Sequence, residues 1–130
     1  MQPAELIREV YVRHAMGDVD GVLSLCRDDI GFWWAGIHGV DPHAGTQRGR
    51  EPFKALLEDL HETFHYHALE PVDLIVQGDR AASRAQARMT HRASRRRFTV
   101  PIADFWTIRD GQVCELIHYF DTALIADVLK

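Results

Sequence analysis

Cysteine is scarce in this sequence of 130 residues, which contains only Cys26 and Cys114. Two cysteines cannot supply the set of disulfides that stabilises a small secreted scaffold, or the four ligands of a structural zinc site. Both lie in apolar stretches, and free cysteine usually behaves as a small buried hydrophobe. We therefore expect reduced core thiols in a cytoplasmic protein.

Long apolar runs and an excess of positive charge are also absent. No stretch approaches the roughly 20 apolar residues of a membrane span, and the N-terminal residues lack the features of a secretory signal. The net charge is −4, whereas a nucleic-acid binder carries a basic surface. Hydrophobic residues make up 46% and charged residues 26%, which is typical of a globular protein. We expect one domain over residues 1–130 that binds neither nucleic acid nor membrane.

Four segments have the features of helices. Pro3 suits the start of a first helix and Gly17 its end. Asp18 is a suitable cap for a short second helix. A third helix is predicted to begin near Glu51, and a short final one after Asp121.

The remaining segments resemble strands and one loop. Residues 30–36 are short, aromatic and β-prone, whereas residues 37–50 are rich in glycine and predict a loop. Further strands are predicted over residues 69–77, 81–92, 98–109 and 112–120. Asp110-Gly111 predicts the turn between the last two. Helices followed by a meander of strands predict an α+β domain with an antiparallel sheet.

Asp104 is the strongest candidate for a functional residue. Its neighbours on one face of its strand are all apolar: Phe98, Val100, Ile102, Trp106 and Ile108. A buried carboxylate must be protonated, paired or hydrogen-bonded, because burying it unpaired is costly. His118, on the next strand, is likewise a titratable residue in an otherwise apolar row, among Cys114, Leu116 and Phe120.

The connection between these two strands decides whether Asp104 and His118 meet. A three-residue loop places them diagonally on one face, whereas a strict two-residue turn places them on opposite faces. We favour the shared face, since the row that contains His118 (Cys114, Leu116 and Phe120) is the more apolar of the two faces of its strand. The pair is then an acid and a base in an apolar cavity, a combination that contributes about 10²–10⁴-fold to a rate. The alternative is a core hydrogen bond that only orders the sheet.

Two other motifs have simpler explanations. His61-Glu62-Thr63-Phe64-His65 matches the zinc-protease pattern, which requires both histidines on one helix. Phe64 continues the apolar stripe of the helix and no third ligand follows, so we expect a solvated helix end, no metal and no cofactor. Arg95-Arg96-Arg97 lies between two strands and predicts a solvated hairpin tip.

The order of these elements resembles the nuclear transport factor 2-like superfamily, and within it the SnoaL-like and ketosteroid isomerase-like group. The residues that carry the resemblance are Gly17-Asp18, Gly49-Arg50-Glu51 and the terminal hairpin of residues 104–121. The resemblance covers nearly the whole chain. It implies a cone-shaped fold whose curved sheet and helices enclose a pocket for a small apolar molecule. It also implies a homodimer through the outer sheet face, where Arg84, Gln86, Arg88 and Arg92 would lie.

The resemblance also carries partial expectations for single residues. In steroid isomerases of this group, a carboxylic acid at the position of Asp104 donates to a developing enolate. Their general base matches Trp34, which cannot take a proton, and their tyrosine falls next to Tyr11. In limonene epoxide hydrolase a catalytic aspartate matches His118, but its arginine and second aspartate fall near Ala85 and Ala87.

Two functions remain open from the sequence. The first is an isomerase, cyclase, dehydratase or hydrolase that acts on a small, largely apolar molecule, as SnoaL-type polyketide cyclases do with acid–base residues in this cavity. Asp104 and His118 would be catalytic. The substrate would be contacted by Tyr11, Trp34, Met89, His91, Trp106 and Phe120. The second is a non-catalytic module of the same fold that binds a ligand or dimerises.

Overall fold

The structure, a computed structural model, describes residues 1–36 and 41–130. Its helices are α1 (Pro3–Ala15), α2 (Val19–Leu23), α3 (Arg50–Thr63) and α4 (Thr122–Val128). Its strands are β1 (Cys26–Trp34), β2 (Gly45–Arg48), β3 (Phe64–Gln77), β4 (Arg80–His91), β5 (Arg97–Arg109) and β6 (Gln112–Phe120). No helix in these ranges has the length and apolarity required to cross a membrane.

The strands form one curved sheet in the order β2-β1-β6-β5-β4-β3. The helices pack against it, so the predicted α+β cone is confirmed. One detail of the expected antiparallel sheet is wrong, because β1 pairs with β6 in parallel. A parallel pair needs a long crossover connection, and here α3 and four strands, β2 to β5, lie between the two.

Several element boundaries differ from those predicted. Strand β1 begins at Cys26 and β3 begins at Phe64, both before the predicted starts at residues 30 and 69. The predicted loop 37–50 contains β2, which pairs with β1; residues 37–40 of that loop lie outside the described residues. Strand β2 is short and mostly polar, so its sequence has no alternating hydrophobic pattern from which a strand could be predicted.

The predicted caps are present. Asp18 accepts a hydrogen bond from the Gly21 amide at the start of α2, and Asp121 accepts one from the Leu124 amide at the start of α4. Gly17 follows α1 with φ +75°, a backbone conformation that glycine adopts without strain. The sequence predicts these helix ends because each depends only on neighbouring residues.

Strand β4 presents a small-residue face to the core. Its inward positions carry small side chains, Ala81, Ser83, Ala85 and Ala87, all buried. The outward positions Arg84, Gln86 and Arg88 are exposed, as the resemblance implies. Arg92, expected with them, lies in the turn after β4 and donates to the carbonyl of His61.

The β5–β6 hairpin combines a two-residue turn with a β-bulge. Asp110 and Gly111 both have positive φ, as the tight hairpin turn requires. Ile108 pairs with Val113, but Thr107 pairs with Glu115, so Cys114 is the extra bulge residue. The expected three-residue loop is therefore wrong.

The bulge nevertheless produces the shared face that we favoured. Beyond it, Asp104 lies directly opposite His118, and not diagonal to it. Cys114, expected in the core, is partly exposed at the bulge, whereas Cys26 is buried. Burial raises the pKa of the Cys26 thiol to about 12, which keeps it protonated.

Candidate functional site

The helices and the concave sheet face enclose a cavity of about 540 Å³. Most of its wall is apolar. The polar residues of the described wall are Tyr11, His14, Asp41, His43, Asp59, Thr63, Tyr66, Asp104, His118 and Thr122. No lysine or arginine is among them, so this wall offers no cationic partner for an anionic ligand.

The predicted pair is at the centre of a hydrogen-bond network in this cavity. Asp104 is 2% exposed. Its Oδ1 lies 2.5 Å from Nδ1 of His118 on the neighbouring strand. Strand pairing fixes the two backbones opposite each other, so the contact does not depend on a flexible loop.

Three further residues complete the network. Trp106 Nε1 donates to Ser83 Oγ at 2.8 Å, Ser83 Oγ lies 2.6 Å from Tyr11 Oη, and Tyr11 Oη donates to Asp104 Oδ2 at 2.6 Å. An indole nitrogen can only donate. The protons therefore point one way, from Trp106 through Ser83 and Tyr11 to Asp104.

Tyr11 remains a donor because its pKa is raised, first by burial and then by the charge of Asp104 and their hydrogen bond. Asp104 then accepts at both oxygens, from Tyr11 and from Nδ1 of His118. These bonds orient the imidazole, and its other nitrogen, Nε2, is not bonded to Asp104. Nε2 forms no hydrogen bond with the described residues, and the His118 ring lines the cavity.

Aromatic side chains hold the His118 ring in place. Trp34 stacks on it with ring centres 3.8 Å apart and planes at 20°, and the Phe120 ring centre lies 5.6 Å away. Trp33 points to the other sheet face and contacts Tyr119. The two neighbouring tryptophans thus lie on opposite sides, as the strand period predicts.

Of the eight predicted site residues, seven line the cavity: Tyr11, Trp34, Met89, Asp104, Trp106, His118 and Phe120. His91 does not line it. It lies at the end of β4, where Nδ1 is 2.7 Å from Ser94 Oγ. Strand β4 extends beyond the described cavity wall at this point.

A second polar group in the cavity was not predicted. His14 of α1 and Tyr66 of β3 both line it, with ring centres 4.8 Å apart. His14 Nδ1 lies 3.2 Å from Nε2 of His61. Burial, followed by the charges of His61 and His118, lowers the pKa of His14 to about 3. Burial raises the pKa of Tyr66, so both groups are neutral near pH 7.

The zinc-protease pattern does not lie on one helix. His61 is on α3, which ends at Thr63, whereas His65 is on β3 and its ring packs against His67 at 4.7 Å. Within residues 1–36 and 41–130, no three potential metal ligands lie together. The pattern thus spans a helix–strand junction.

Ser83 and Tyr66 were missed for different reasons. Ser83 interrupts a row of inward alanines on β4, and that interruption was a usable signal for a buried polar contact. Tyr66 lies in the part of β3 before the predicted strand, so its face could not be assigned.

Comparison with known proteins agrees with this architecture. Residues 7–116 match the family model described as the SnoaL-like domain. TerC, crystallised with polyporic acid, is 25% identical over 97% of this chain and 96% of its own, with a TM-score of 0.85. An NTF2-like protein from Burkholderia xenovorans LB400 is 25% identical over 98% and 95%, with a TM-score of 0.78.

A more distant structure has the same fold. IdmH, a proposed polyketide cyclase from Streptomyces antibioticus, is 22% identical over 99% of both chains, with a TM-score of 0.84. No curated protein matches the sequence.

Tyr11→Phe should lower the free energy of unfolding by about 1–3 kcal/mol. The change removes only the hydroxyl, but it leaves Asp104 Oδ2 and Ser83 without their buried partner. Urea unfolding measures the loss. Tyr119→Phe, at an exposed residue whose hydroxyl has no bond to the described residues, is the matched control and should change stability by less than about 0.5 kcal/mol. Equal effects of the two changes would contradict the network.

His14→Phe should make stability less dependent on acid. His14 is neutral in the native protein down to about pH 3, whereas in the unfolded chain it takes up a proton near its ordinary pKa of 6.5. The unfolded state therefore binds more protons in this range, and the native protein loses stability as the pH falls below 6.5. The contribution of His14 is fully present above that pH.

Urea unfolding at about pH 7 and about pH 4.5 tests this sign. The wild type should lose more stability on acidification than His14→Phe, and the exposed-site control His65→Phe should behave like the wild type. Equal losses in the wild type and His14→Phe would show that His14 is not held neutral.

Proposed function

This chain belongs to the SnoaL-like family, and we propose that it is an enzyme that transfers a proton on a small, neutral, largely apolar molecule. The observation that carries the proposal is the orientation of His118. Asp104 holds Nδ1, Nε2 has no hydrogen-bond partner among the described residues, and the ring lines an apolar cavity. A positioned imidazole in such a cavity is a typical general acid and base.

In the proposed step, His118 Nε2 takes a proton from the carbon next to a carbonyl. The electron pair of the broken C–H bond moves into an enolate, and the carbonyl oxygen takes the negative charge. Asp104 stabilises the imidazolium that forms at His118. Return of the proton to another carbon gives an isomer. Attack of the enolate carbon on a second carbonyl gives a ring, and the alkoxide oxygen that this forms takes the proton back from His118. The apolar wall excludes water from both outcomes.

Asp104 has a different role here from the one that the steroid isomerases imply. Both of its oxygens accept hydrogen bonds, from Tyr11 and His118, so neither is left to donate to an enolate. Asp104 therefore acts through His118, as a positioning residue. His118 is the catalytic residue in this proposal.

The wall chemistry supports the proposed class of substrate. The described wall lacks lysine and arginine and includes three aspartates, Asp41, Asp59 and Asp104, so an anionic ligand would meet negative charge. The likeness to TerC, crystallised with polyporic acid, supports an organic small molecule as the ligand.

A non-catalytic binding module is the second candidate, and Trp34 favours it. Trp34 stands where steroid isomerases have their base and covers one face of the His118 ring. If that stacking blocks access to Nε2, the cavity binds a molecule without changing it.

We also propose a homodimer formed through the outer sheet face. One row across the sheet joins Ile75, Ala82, Phe105, Ile117 and Trp33. Ile75 is 68% exposed and Phe105 43%. A continuous apolar row on a solvent-facing sheet is typical of an interface.

Both cysteines are free, which supports a reducing, cytoplasmic environment for the assembly.

Asp104→Asn and His118→Gln should each lower proton transfer by about 10²–10⁴-fold. The probe is 2-tetralone, a neutral bicyclic ketone, and NMR measures the exchange of its α-protons for deuterium in D₂O. Asn cannot stabilise an imidazolium with a negative charge, and Gln cannot take up the proton. Calorimetry of each variant with 2-tetralone separates lost chemistry from lost binding.

Asp127→Asn, on the surface, is the matched control for Asp104→Asn and should exchange 2-tetralone at the wild-type rate. If the wild type binds 2-tetralone but exchanges it no faster than buffer, the enzyme proposal fails and the binding module remains.

Phe105→Glu should convert the dimer into a monomer. The change would place one carboxylate from each chain in the interface, and a pair of buried like charges is strongly unfavourable. Light scattering after gel filtration should show the mass falling from two chains to one. Val12→Glu, at a half-exposed position of α1, should leave two chains. A monomeric wild type would contradict this proposal.

A further inference from the structure

His14 and Tyr66 place hydrogen-bonding atoms in the cavity that the Asp104 network does not use. Tyr66 Oη forms no hydrogen bond with residues 1–36 or 41–130, and His14 is bonded there only through Nδ1, to His61. Both side chains line the cavity. The Tyr66 hydroxyl and His14 Nε2 therefore remain available to a bound molecule.

The His14–His61 contact determines what these atoms offer. One of the two facing nitrogens must carry the proton, so His14 Nε2 is an acceptor when Nδ1 donates and a donor when Nδ1 accepts. The Tyr66 hydroxyl can do either. Together they can satisfy a hydroxyl, which donates and accepts, or a keto oxygen, which only accepts.

The charge around these atoms disfavours an anionic partner. His14 and Tyr66 are neutral near pH 7, as their shifted pKa values show. Arg92 lies beyond His61, where it donates to the His61 carbonyl, and it is not part of the described cavity wall. A carboxylate or phosphate at this position would lose water and gain no positive charge.

We propose that His14 and Tyr66 form a second binding site in the cavity, for a neutral hydroxyl or keto oxygen of the ligand apart from the group that reacts at His118. The inference rests on the proposed function, and it narrows the substrate class to neutral molecules with at least two oxygen functions. A molecule without the second oxygen would bury Tyr66 and His14 unpaired, which is the kind of penalty that enforces selectivity.

A matched set of probes tests this site. Calorimetry compares 2-tetralone with 6-hydroxy-2-tetralone and 6-carboxy-2-tetralone, which differ only at the far end of the ring system. The wild type should bind the hydroxy compound about threefold to tenfold more tightly than 2-tetralone. The carboxy compound should bind more weakly than either.

Two variants test whether Tyr66 and His14 cause the preference for 6-hydroxy-2-tetralone. Tyr66→Phe removes one hydroxyl, and His14→Phe keeps an aromatic ring against Tyr66. Each should abolish the preference for 6-hydroxy-2-tetralone, chiefly by raising the affinity for 2-tetralone, whose binding would no longer bury an unpaired hydroxyl or ring nitrogen. Tyr119→Phe, on the outer face, should keep the preference. Because Tyr66→Phe adds no atoms and breaks no bond to the described residues, misfolding would not explain its effect.

The outcomes separate this inference from the proposed function. Equal binding of 2-tetralone and its hydroxy derivative, or a preference that survives in both variants, would overturn the second site. Binding with the expected preference but without deuterium exchange would overturn the acid–base proposal and retain the site. Absence of binding by all three compounds would overturn both.

Discussion

The buried carboxylate of Asp104 is the constraint on which the site depends. A carboxyl group that is 2% exposed must be satisfied by hydrogen bonds, because leaving it unpaired is costly. Tyr11 from α1 and His118 from β6 satisfy one oxygen each. The same two contacts join the first helix, the sheet and the His118 imidazole, so the stability of this part of the fold and the proposed chemistry of the site are linked. Removing a partner would affect both.

Two local features of the strands allow those contacts. The inward face of β4 carries small side chains, and Ser83 among them lies within hydrogen-bond distance of Tyr11, which also donates to Asp104. The bulge at Cys114 shifts the register of β6 by one residue after a two-residue turn. Without that shift, the tight turn would direct His118 to the outer face. Small side chains and one extra residue therefore determine where the functional groups meet.

The parts of this structure that depend on neighbouring residues could be predicted from the sequence. The caps at Asp18 and Asp121 and the turn at Asp110-Gly111 are such signals, and the inward face of Asp104 followed from strand alternation. The parallel pairing of β1 with β6 could not be predicted in this way, because it joins segments distant in the sequence. The same applies to the bonds of Tyr11 and to the His14–Tyr66 group, which require the packing of α1 on the sheet. Strand β2 was missed because a short polar strand has no apolar alternation.

The direction of the hydrogen bonds distinguishes this site from the steroid isomerases that its sequence resembles. A carboxylic acid that donates to an enolate must be protonated and must present its hydrogen to the ligand. Here Tyr11 and His118 occupy both oxygens of Asp104, and the protons from Trp106, Ser83 and Tyr11 all point toward it. That arrangement favours negative charge on Asp104 and positive charge on His118 during a reaction. The chemistry that we propose is therefore proton removal by an imidazole beside a fixed carboxylate, with the proposed His14–Tyr66 site positioning the rest of the molecule.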